Sequence, residues 1–265
     1  MINRQYELVP HHEVKPVLLS SGSGGGGGGG AVTGDSESLF TQNEEHELEQ
    51  HITEVTDLYL SLEGKFGNEI AFDVFRKNER VGTHRVLFHR EGPDLLVNTS
   101  FELSIAAFFL TLYQFSYESE TRWRDGALES LDVKVDDNGE KFYLKAHRQA
   151  DVTVIQSSNS QGRFKGSLFP TNHWDVRVLS EIQVLNTLTG KVNNVTIEMR
   201  GPENVSTERG KIMAKRYRYA GELETDVWYD EEGRWVKMQF SGKDGVPIDY
   251  VCRRCQGFIS KQLNK

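Results

Sequence analysis

Short segments of alternating apolar and polar residues fill the chain from Glu69 onward, and turn residues separate them. A period of two is typical of half-buried β-strands, because successive side chains of a strand point to opposite faces. Asp137-Asn138-Gly139 is the strongest hairpin signal, since both central turn positions tolerate positive φ. We therefore predict strands over residues 70–76, 82–89, 95–103, 108–118, 130–135, 141–147, 192–200, 210–219, 222–229, 235–240 and 246–251.

Many antiparallel strands of similar length form a sheet that curls around its apolar face. The predicted fold is mainly β, a curled antiparallel sheet shaped like a half-barrel or barrel. A capping-box pattern at 41–44 and helical spacing of apolar residues predict an N-terminal amphipathic helix over 38–62. A second, short helix is expected near 173–187, with Thr171 or Asn172 as its cap, where it would plug or lid the open side of the sheet.

Seven consecutive glycines, Gly24 to Gly30, follow a serine-rich run. Glycine loses the most backbone freedom on ordering, so residues 20–30 are typical of a flexible linker in an artificial fusion. We predict a fused peptide segment over 1–19, the linker over 20–30, and a single β-rich domain over 31–265. The linker has a root-mean-square span of about 18 Å, which would keep the peptide near the domain at roughly millimolar concentration.

The peptide segment cannot form a continuous helix, because Pro10 and Pro16 each lack the N–H group that a helix needs. An extended segment suits the edge of a sheet or a groove. We therefore expect it to stand in for an extended segment of a partner protein, anchored by Tyr6, Leu8, Val14 and Leu18. The alternative is a leader without a binding role.

Composition excludes several classes of function. A net charge of −8 and a pI near 5.6 argue against nucleic-acid binding, which needs an excess of Lys and Arg on one face. No apolar run approaches the roughly 18 residues that cross a bilayer, so no transmembrane segment is predicted. The sequence also lacks a nucleophile elbow, a phosphate-binding glycine motif and a zinc-protease motif. We therefore expect no cofactor, and binding is favoured over catalysis.

The densest polar and aromatic cluster is His173-Trp174-Asp175. His173 and Asp175 are poor candidates for a hydrogen-bonded pair, because near neighbours on a helix do not face each other. The aromatic residues between 101 and 123 suit a thick core or a cavity for an apolar ligand. The candidate pocket rim is therefore His173, Trp174, Trp123 and Tyr113.

Two further histidines, His84 and His89, lie five residues apart on one predicted strand. They face opposite sides of the sheet and cannot chelate one metal ion in regular geometry. We interpret both as ordinary surface or half-buried residues.

The two cysteines, Cys252 and Cys255, form a Cys-x-x-Cys sequence near the end of the chain. They could form a local disulfide, act as a redox couple or supply half of a metal site. A zinc site would need two further ligands, and a redox couple normally begins a helix rather than following a strand. A structural disulfide that pins the last strand is preferred, and no metal is predicted.

Residues from about 70 to 257 resemble an uncharacterised family of exported bacterial proteins, a domain of unknown function. The resemblance rests on 74–84, Trp123-Arg124-Asp125-Gly126, Pro170-Thr171-Asn172-His173-Trp174, 185–190, Asp226-Val227-Trp228-Tyr229-Asp230 and the block Tyr250-Val251-Cys252-Arg253-Arg254-Cys255-Gln256-Gly257. The general pattern is similar to the half-barrels of periplasmic lipoprotein carriers. The resemblance implies a periplasmic location, and it supports the Cys252–Cys255 disulfide.

Three functional hypotheses follow. The first is a non-enzymatic periplasmic protein that recognises an extended segment of a partner, represented by residues 2–19. The second is a carrier of a lipid or another apolar ligand in the concave face of the sheet. The third is a redox or hydrolytic enzyme that uses Cys252 and Cys255, or His173.

Overall fold

The computed structural model of the chain describes residues 65–107, 110–242 and 244–257. Within them, one 15-stranded sheet curls without closing. Its first half comprises β1 Glu69–Arg76, β2 Glu79–Glu91, β3 Asp94–Ala107, β4 Leu110–Arg124, β5 Ala127–Asp137, β6 Glu140–Gln149, β7 Val152–Ser157 and β8 Gln161–Lys165. Its second half comprises β9 Phe169–Pro170, β10 Gln183–Leu185, β11 Val192–Thr207, β12 Gly210–Gly221, β13 Thr225–Tyr229, β14 Trp235–Ser241 and β15 Pro247–Arg254.

Two meanders build the sheet. Strands β1 to β8 lie side by side in chain order, and β9 to β15 do the same on the other side. The first strand pairs with the last, since β1 and β15 are antiparallel neighbours, while β8 and β9 form the two edges. Every neighbouring pair is antiparallel except β9 with β10. The prediction of a mainly β, curled, barrel-like sheet is therefore confirmed.

The alternation in the sequence translates directly into burial. Along β4, every second side chain from Tyr113 to Trp123 is buried against the core. The hairpin predicted at 137–139 joins β5 to β6, and Asn138 and Gly139 have φ of 56° and 95°. These values are the positive φ that a two-residue hairpin turn requires.

The predicted helix near 173–187 is present only as a short 3-10 helix, Val176–Ser180. Its cap is Asp175, which accepts a hydrogen bond from the Arg177 N–H, rather than Thr171 or Asn172. The helical apolar spacing fails beyond it, because Ile182 is 77% exposed and 183–185 pair with β11 as a strand. Backbone pairing with a distant strand thus overrides local spacing.

Strands β7, β8, β9 and β10 were not predicted, and β11 runs to Thr207 instead of ending at 200. The predicted helix over 38–62, the peptide with its anchors Tyr6, Leu8, Val14 and Leu18, and the linker lie outside the described residues. The described part of the chain contains no helix of the length and apolarity needed to span a bilayer.

Two local features fix the pairing of β3 with its neighbours, Gly82 on the β2 side and Asp94 on the β4 side. Gly82 lies so close to the β3 backbone that a Cβ atom there would stand 2.0 Å from the Glu102 carbonyl oxygen. At the far end, the buried Asp94 carboxylate accepts hydrogen bonds from Arg122 (2.7 Å) and from Arg124 (2.7 and 2.9 Å). These bonds hold the pKa of Asp94 down at about 2, so the carboxylate stays charged beside its two guanidinium partners.

Candidate ligand-binding site

A cavity of about 580 Å³ lies against the inner face of the sheet. Its volume is within the range of roughly 300 to 1,000 Å³ that small-molecule sites have. Strands β2, β3, β4, β14 and β15 supply one wall, and the segments 171–174 and 186–188 supply another. The apolar part of the lining consists mainly of aromatic side chains, namely Phe101, Phe115, Tyr117, Trp174, Trp235, Phe240 and Tyr250.

The segment 171–174 enters the interior because hydrogen bonds hold it on both sides. Thr171 donates its N–H to the Leu185 carbonyl at 3.0 Å, and its hydroxyl lies 3.1 Å from that of Thr187. The Tyr229 hydroxyl donates to the His173 carbonyl oxygen at 2.8 Å. The segment is therefore a fixed wall of the cavity.

His173 is 4% exposed and lines this cavity. Its ring packs edge-on against Tyr219, with centroids 5.3 Å apart, and lies 5.8 Å from the ring of Trp235. Burial in these aromatic surroundings lowers the pKa of His173 to about 4, since the charged form loses its hydration. At neutral pH the imidazole is an uncharged hydrogen-bonding group.

His84 occupies the opposite wall, on β2, where its ring is half-buried and borders the cavity. Trp235 lies 5.4 Å from this ring and Tyr250 lies 5.3 Å from it, measured between centroids. Burial, and secondarily the neighbouring His173, lower the pKa of His84 to about 3. The cavity wall therefore contains two neutral imidazoles, both packed against Trp235.

Five buried polar atoms on residues that line the cavity have no hydrogen-bond partner among the described residues. They are His84 Nδ1, Thr99 Oγ1, Asn172 Nδ2, His173 Nδ1 and Trp174 Nε1. A buried polar group without a partner costs about 1 to 3 kcal/mol, so proteins keep few of them. Their concentration around one cavity of ligand size marks it as the strongest candidate site in the described residues.

The cavity reaches one end of the barrel, which we call the mouth. Alternate turns of an antiparallel meander lie at the same end, so the β1–β2, β3–β4, β12–β13 and β14–β15 turns share it. Residues 221–224 of the β12–β13 turn, and Ser241 and Pro247 beside the β14–β15 turn, line the cavity. Among the charged lining residues, Arg216 and Arg218 both pair with Asp226, at 2.9 and 3.7 Å. The other two, Glu222 and Glu224, are exposed on the β12–β13 turn.

The predicted rim residues fall in two groups. His173 and Trp174 line the cavity. Trp123 stands behind it, packed 5.4 Å from Trp174, with its indole N–H donating to the Thr121 hydroxyl. Tyr113 is buried on β4 and donates its hydroxyl to Asp137. His173 does not pair with Asp175, since that carboxylate caps the 3-10 helix and binds Arg177.

His84 was interpreted from the sequence as an ordinary residue, and its place in the cavity wall was missed. The two faces of β2 are as predicted, since His89 is exposed on the outside while His84 points inward. His84 is two residues before the buried Val86, so the alternation of side chains along β2 places both on the inner face. Thr99, Asn186 and Thr187 were missed as well, because small polar residues carry no signal of their own.

The cysteines lie at the other end of β15, away from the mouth. Cys252 and Cys255 form a disulfide, as predicted, and both are buried. The Glu208 carboxylate caps this turn, accepting the N–H groups of Cys255 at 2.9 Å and Gln256 at 3.0 Å. Glu208 and the two sulfur atoms lie as close together as metal ligands do. Because sulfurs joined in a disulfide offer no thiolates to a metal ion, we interpret the pair as a structural disulfide.

Comparisons with known proteins agree with this architecture. Residues 72–253 match a family described as "Domain of unknown function (DUF6134)", and the chain belongs to that family. A crystal structure of a beta-barrel-like protein of the domain of unknown function DUF1849, from Brucella abortus, is similar in fold, with a TM-score of 0.52 and 11% sequence identity. The similarity covers 72% of this chain and 98% of that one. No curated protein matches the chain.

Proposed function

We propose that this member of the DUF6134 family is a binding protein that holds a small, mainly apolar molecule with uncharged polar groups in its barrel cavity. The observation that carries the proposal is a set of five unpartnered, buried polar atoms on residues that line a cavity whose apolar wall is mainly aromatic. Ligand sites combine a mostly apolar wall with a few well-placed polar groups, which fix the orientation of the ligand.

The charge of the site supports an uncharged ligand. His84 and His173 are neutral at physiological pH because their pKa values lie at about 3 and 4. Arg216 and Arg218 pair with Asp226 near the mouth, and the other charged lining residues, Glu222 and Glu224, are exposed on the β12–β13 turn. A charged group placed between the two neutral imidazoles and the aromatic wall would lose its hydration without gaining a counter-charge there, which is costly. The alternatives that use His173 for hydrolysis gain no support, since a base with so low a pKa binds a proton weakly at pH 7.

The cavity supports the hypothesis of a carrier for an apolar ligand more than the hypothesis of a protein that recognises an extended partner segment. Recognition of residues 2–19 stays a prediction, because that segment lies outside the described residues. A periplasmic location also remains part of the proposal.

The proposal can be tested with N-phenyl-1-naphthylamine, a neutral fluorescent probe with aromatic rings and one N–H group. We expect a saturable rise in fluorescence with the unaltered protein. The double variant His84→Phe/His173→Phe keeps the ring shapes but removes the ring nitrogens, and we expect it to bind the probe at least about tenfold more weakly. Thr99→Phe, which places a phenyl ring in the cavity, should reduce binding by occlusion.

The matched control is His89→Phe, because His89 lies on the outer face of the same strand as His84. Its affinity for the probe should equal that of the unaltered protein. At pH 8 the His173→Phe variant should also be more stable to denaturant by about 1 to 3 kcal/mol, because it no longer buries an unpartnered nitrogen. Equal probe affinity in the unaltered protein, His84→Phe/His173→Phe, Thr99→Phe and His89→Phe would refute the cavity as the binding site.

A further inference from the structure

The unpartnered polar atoms of the cavity wall differ in the part they can take in a hydrogen bond. The indole Nε1 of Trp174 and the amide Nδ2 of Asn172 can only donate, whereas the Thr99 hydroxyl and the imidazole nitrogens can donate or accept. The amide of Asn172 is oriented by its other end, since Oδ1 accepts a hydrogen bond from the Tyr117 hydroxyl at 3.5 Å. Two nitrogen donors of the wall therefore lack an acceptor among the described residues.

Carbonyl groups close to these two donors along the chain are already in use. The His173 carbonyl oxygen accepts the Tyr229 hydroxyl at 2.8 Å, and the Pro170 carbonyl oxygen accepts the backbone N–H of Asn172 at 2.7 Å. Trp174 is only 1% exposed, so its indole N–H is shielded from the surrounding water. A buried donor without a partner is costly, and a bound molecule can supply the missing acceptor.

Trp174 lies toward the end of the barrel that is opposite the mouth. Its ring packs against Phe88, near the end of β2, and against Trp123, near the end of β4, with centroids 5.4 Å apart in both cases. The β2–β3 and β4–β5 turns that follow these strands lie at the end away from the mouth. The lining residues Phe115 and Phe240 lie nearer the mouth, on the opposite halves of β4 and β14. An apolar molecule whose polar group reaches Trp174 would therefore extend past aromatic side chains toward the mouth.

We propose that the ligand of this cavity carries a carbonyl oxygen, as in a ketone, a quinone or an ester, which accepts hydrogen bonds from the donors that Asn172 and Trp174 leave unused. Its apolar remainder lies along the aromatic wall toward the mouth. The inference rests on the proposed function and narrows it to one chemical class.

The carbonyl group fits these donors better than the other common polar groups do. Its oxygen has two lone pairs and brings no donor of its own. An alcohol or an amine adds an O–H or N–H group, which Asn172 Nδ2 and Trp174 Nε1 cannot accept. A carboxylate would accept the same hydrogen bonds, but its charge would meet only neutral imidazoles and aromatic rings at this end of the cavity. A hydrocarbon would leave both donors without a partner.

The test is displacement of N-phenyl-1-naphthylamine from the full chain by three naphthalenes of nearly equal size. These are 2-acetylnaphthalene, which carries a carbonyl group, 1-(2-naphthyl)ethanol, which carries a hydroxyl group in its place, and 2-isopropylnaphthalene, which carries a methyl group there. We expect the unaltered protein to bind the ketone at least about fivefold more tightly than the alcohol. The variant Asn172→Leu/Trp174→Phe removes both donors and keeps apolar side chains, so its affinities for ketone and alcohol should agree within about twofold. Its affinity for the hydrocarbon, which uses neither donor, should stay within about twofold of that of the unaltered protein.

The matched control is Trp228→Phe. It removes the same indole N–H group from a buried tryptophan that does not line the cavity and donates to Glu203 at 2.9 Å. This control should keep the preference for the ketone. Asn172→Leu/Trp174→Phe should still bind N-phenyl-1-naphthylamine, because that probe has no carbonyl group and its N–H cannot bond to nitrogens that only donate. Retained probe binding shows that the variant folds.

A second measurement needs only the unaltered protein. Infrared difference spectra of bound 2-acetylnaphthalene, isotopically labelled at the carbonyl carbon, should show the C=O stretch at a lower frequency than in hexane, because an accepted hydrogen bond weakens the C=O bond. The inference is overturned if this band keeps its position in hexane, if the unaltered protein does not prefer the ketone to the alcohol, or if Asn172→Leu/Trp174→Phe keeps that preference. In each of these cases N-phenyl-1-naphthylamine still binds and the proposed function stands. If the probe does not bind the unaltered protein, the proposed function is refuted and this inference with it.

Discussion

Acidification from pH 8 to pH 5 should destabilise the protein through His84 and His173, the two histidines of the cavity wall. In the folded state His173 has a pKa of about 4 and His84 a pKa of about 3, whereas an unfolded histidine takes up its proton near the ordinary value of 6.5. Below pH 6.5 the unfolded state therefore binds more protons than the folded state, so the unfolding free energy decreases as the pH decreases. The loss begins near pH 7 and ends only near the folded pKa values.

The magnitude follows from these values. At pH 5, each histidine is protonated in the unfolded state and still neutral in the folded state, which costs about 2 kcal/mol per residue and about 4 kcal/mol for both. Asp94 does not contribute in this range, because its pKa is lowered to about 2 and its stabilisation is lost only below its ordinary value of 3.8. A decrease of this size is a large part of the stability of an ordinary domain.

The assay is urea unfolding, followed by tryptophan fluorescence, at pH 8, 7, 6 and 5. The decrease in unfolding free energy between pH 8 and pH 5 should be about 2 kcal/mol smaller in His173→Phe and about 4 kcal/mol smaller in His84→Phe/His173→Phe. His89→Phe, on the exposed face, should show the unaltered pH dependence. If the double variant and the unaltered protein lose the same stability on acidification, the pKa values of the two imidazoles are not lowered in the folded state and the reasoning is refuted.

Two further predictions concern the pairing of β3 with its neighbours β2 and β4. Gly82→Ala should destabilise the fold by more than about 3 kcal/mol, because its Cβ would collide with the Glu102 carbonyl oxygen, whereas Gly162→Ala, with open space around it, should be nearly neutral. Thermal unfolding of the two variants distinguishes these outcomes, and equal melting temperatures would refute the collision. Asp94→Asn should cost about 2 to 3 kcal/mol, since a buried carboxylate bound by two arginines is replaced. Asp132→Asn, whose exposed ion pair with Lys145 is worth little, is the control in urea unfolding, and equal losses in the two variants would contradict the assignment.

The class of fold could be predicted from the sequence because its cause is local. Alternation along β4 and the Asn138-Gly139 turn fix strand and hairpin without reference to the rest of the chain. The short strands β9 and β10 could not be found in this way, because they exist through pairing with other segments, β9 with β10 and β10 also with β11. The β-branched run Val152–Ile155 in β7 did carry a local signal, and its strand was overlooked.

The site was less predictable, because the cavity joins parts of the chain that are far apart in sequence. Alternation indicates which way His84 points, but not that the segment 171–174 and strand β15 lie opposite it. His173 and Trp174 were singled out as a dense polar and aromatic cluster, which is a compositional signal. The lack of hydrogen-bond partners for their polar atoms can be seen only in the folded structure, because no sequence pattern predicts it.

The claim that the cavity binds an uncharged apolar molecule is tested most directly by NMR of the histidine rings during titration with N-phenyl-1-naphthylamine. The ring carbon and proton signals of His84 and His173 should shift together and saturate at the probe concentration that saturates fluorescence, while those of His89 stay in place. Fluorescence that saturates without any shift of the His84 and His173 signals would place the probe elsewhere and contradict the proposed site.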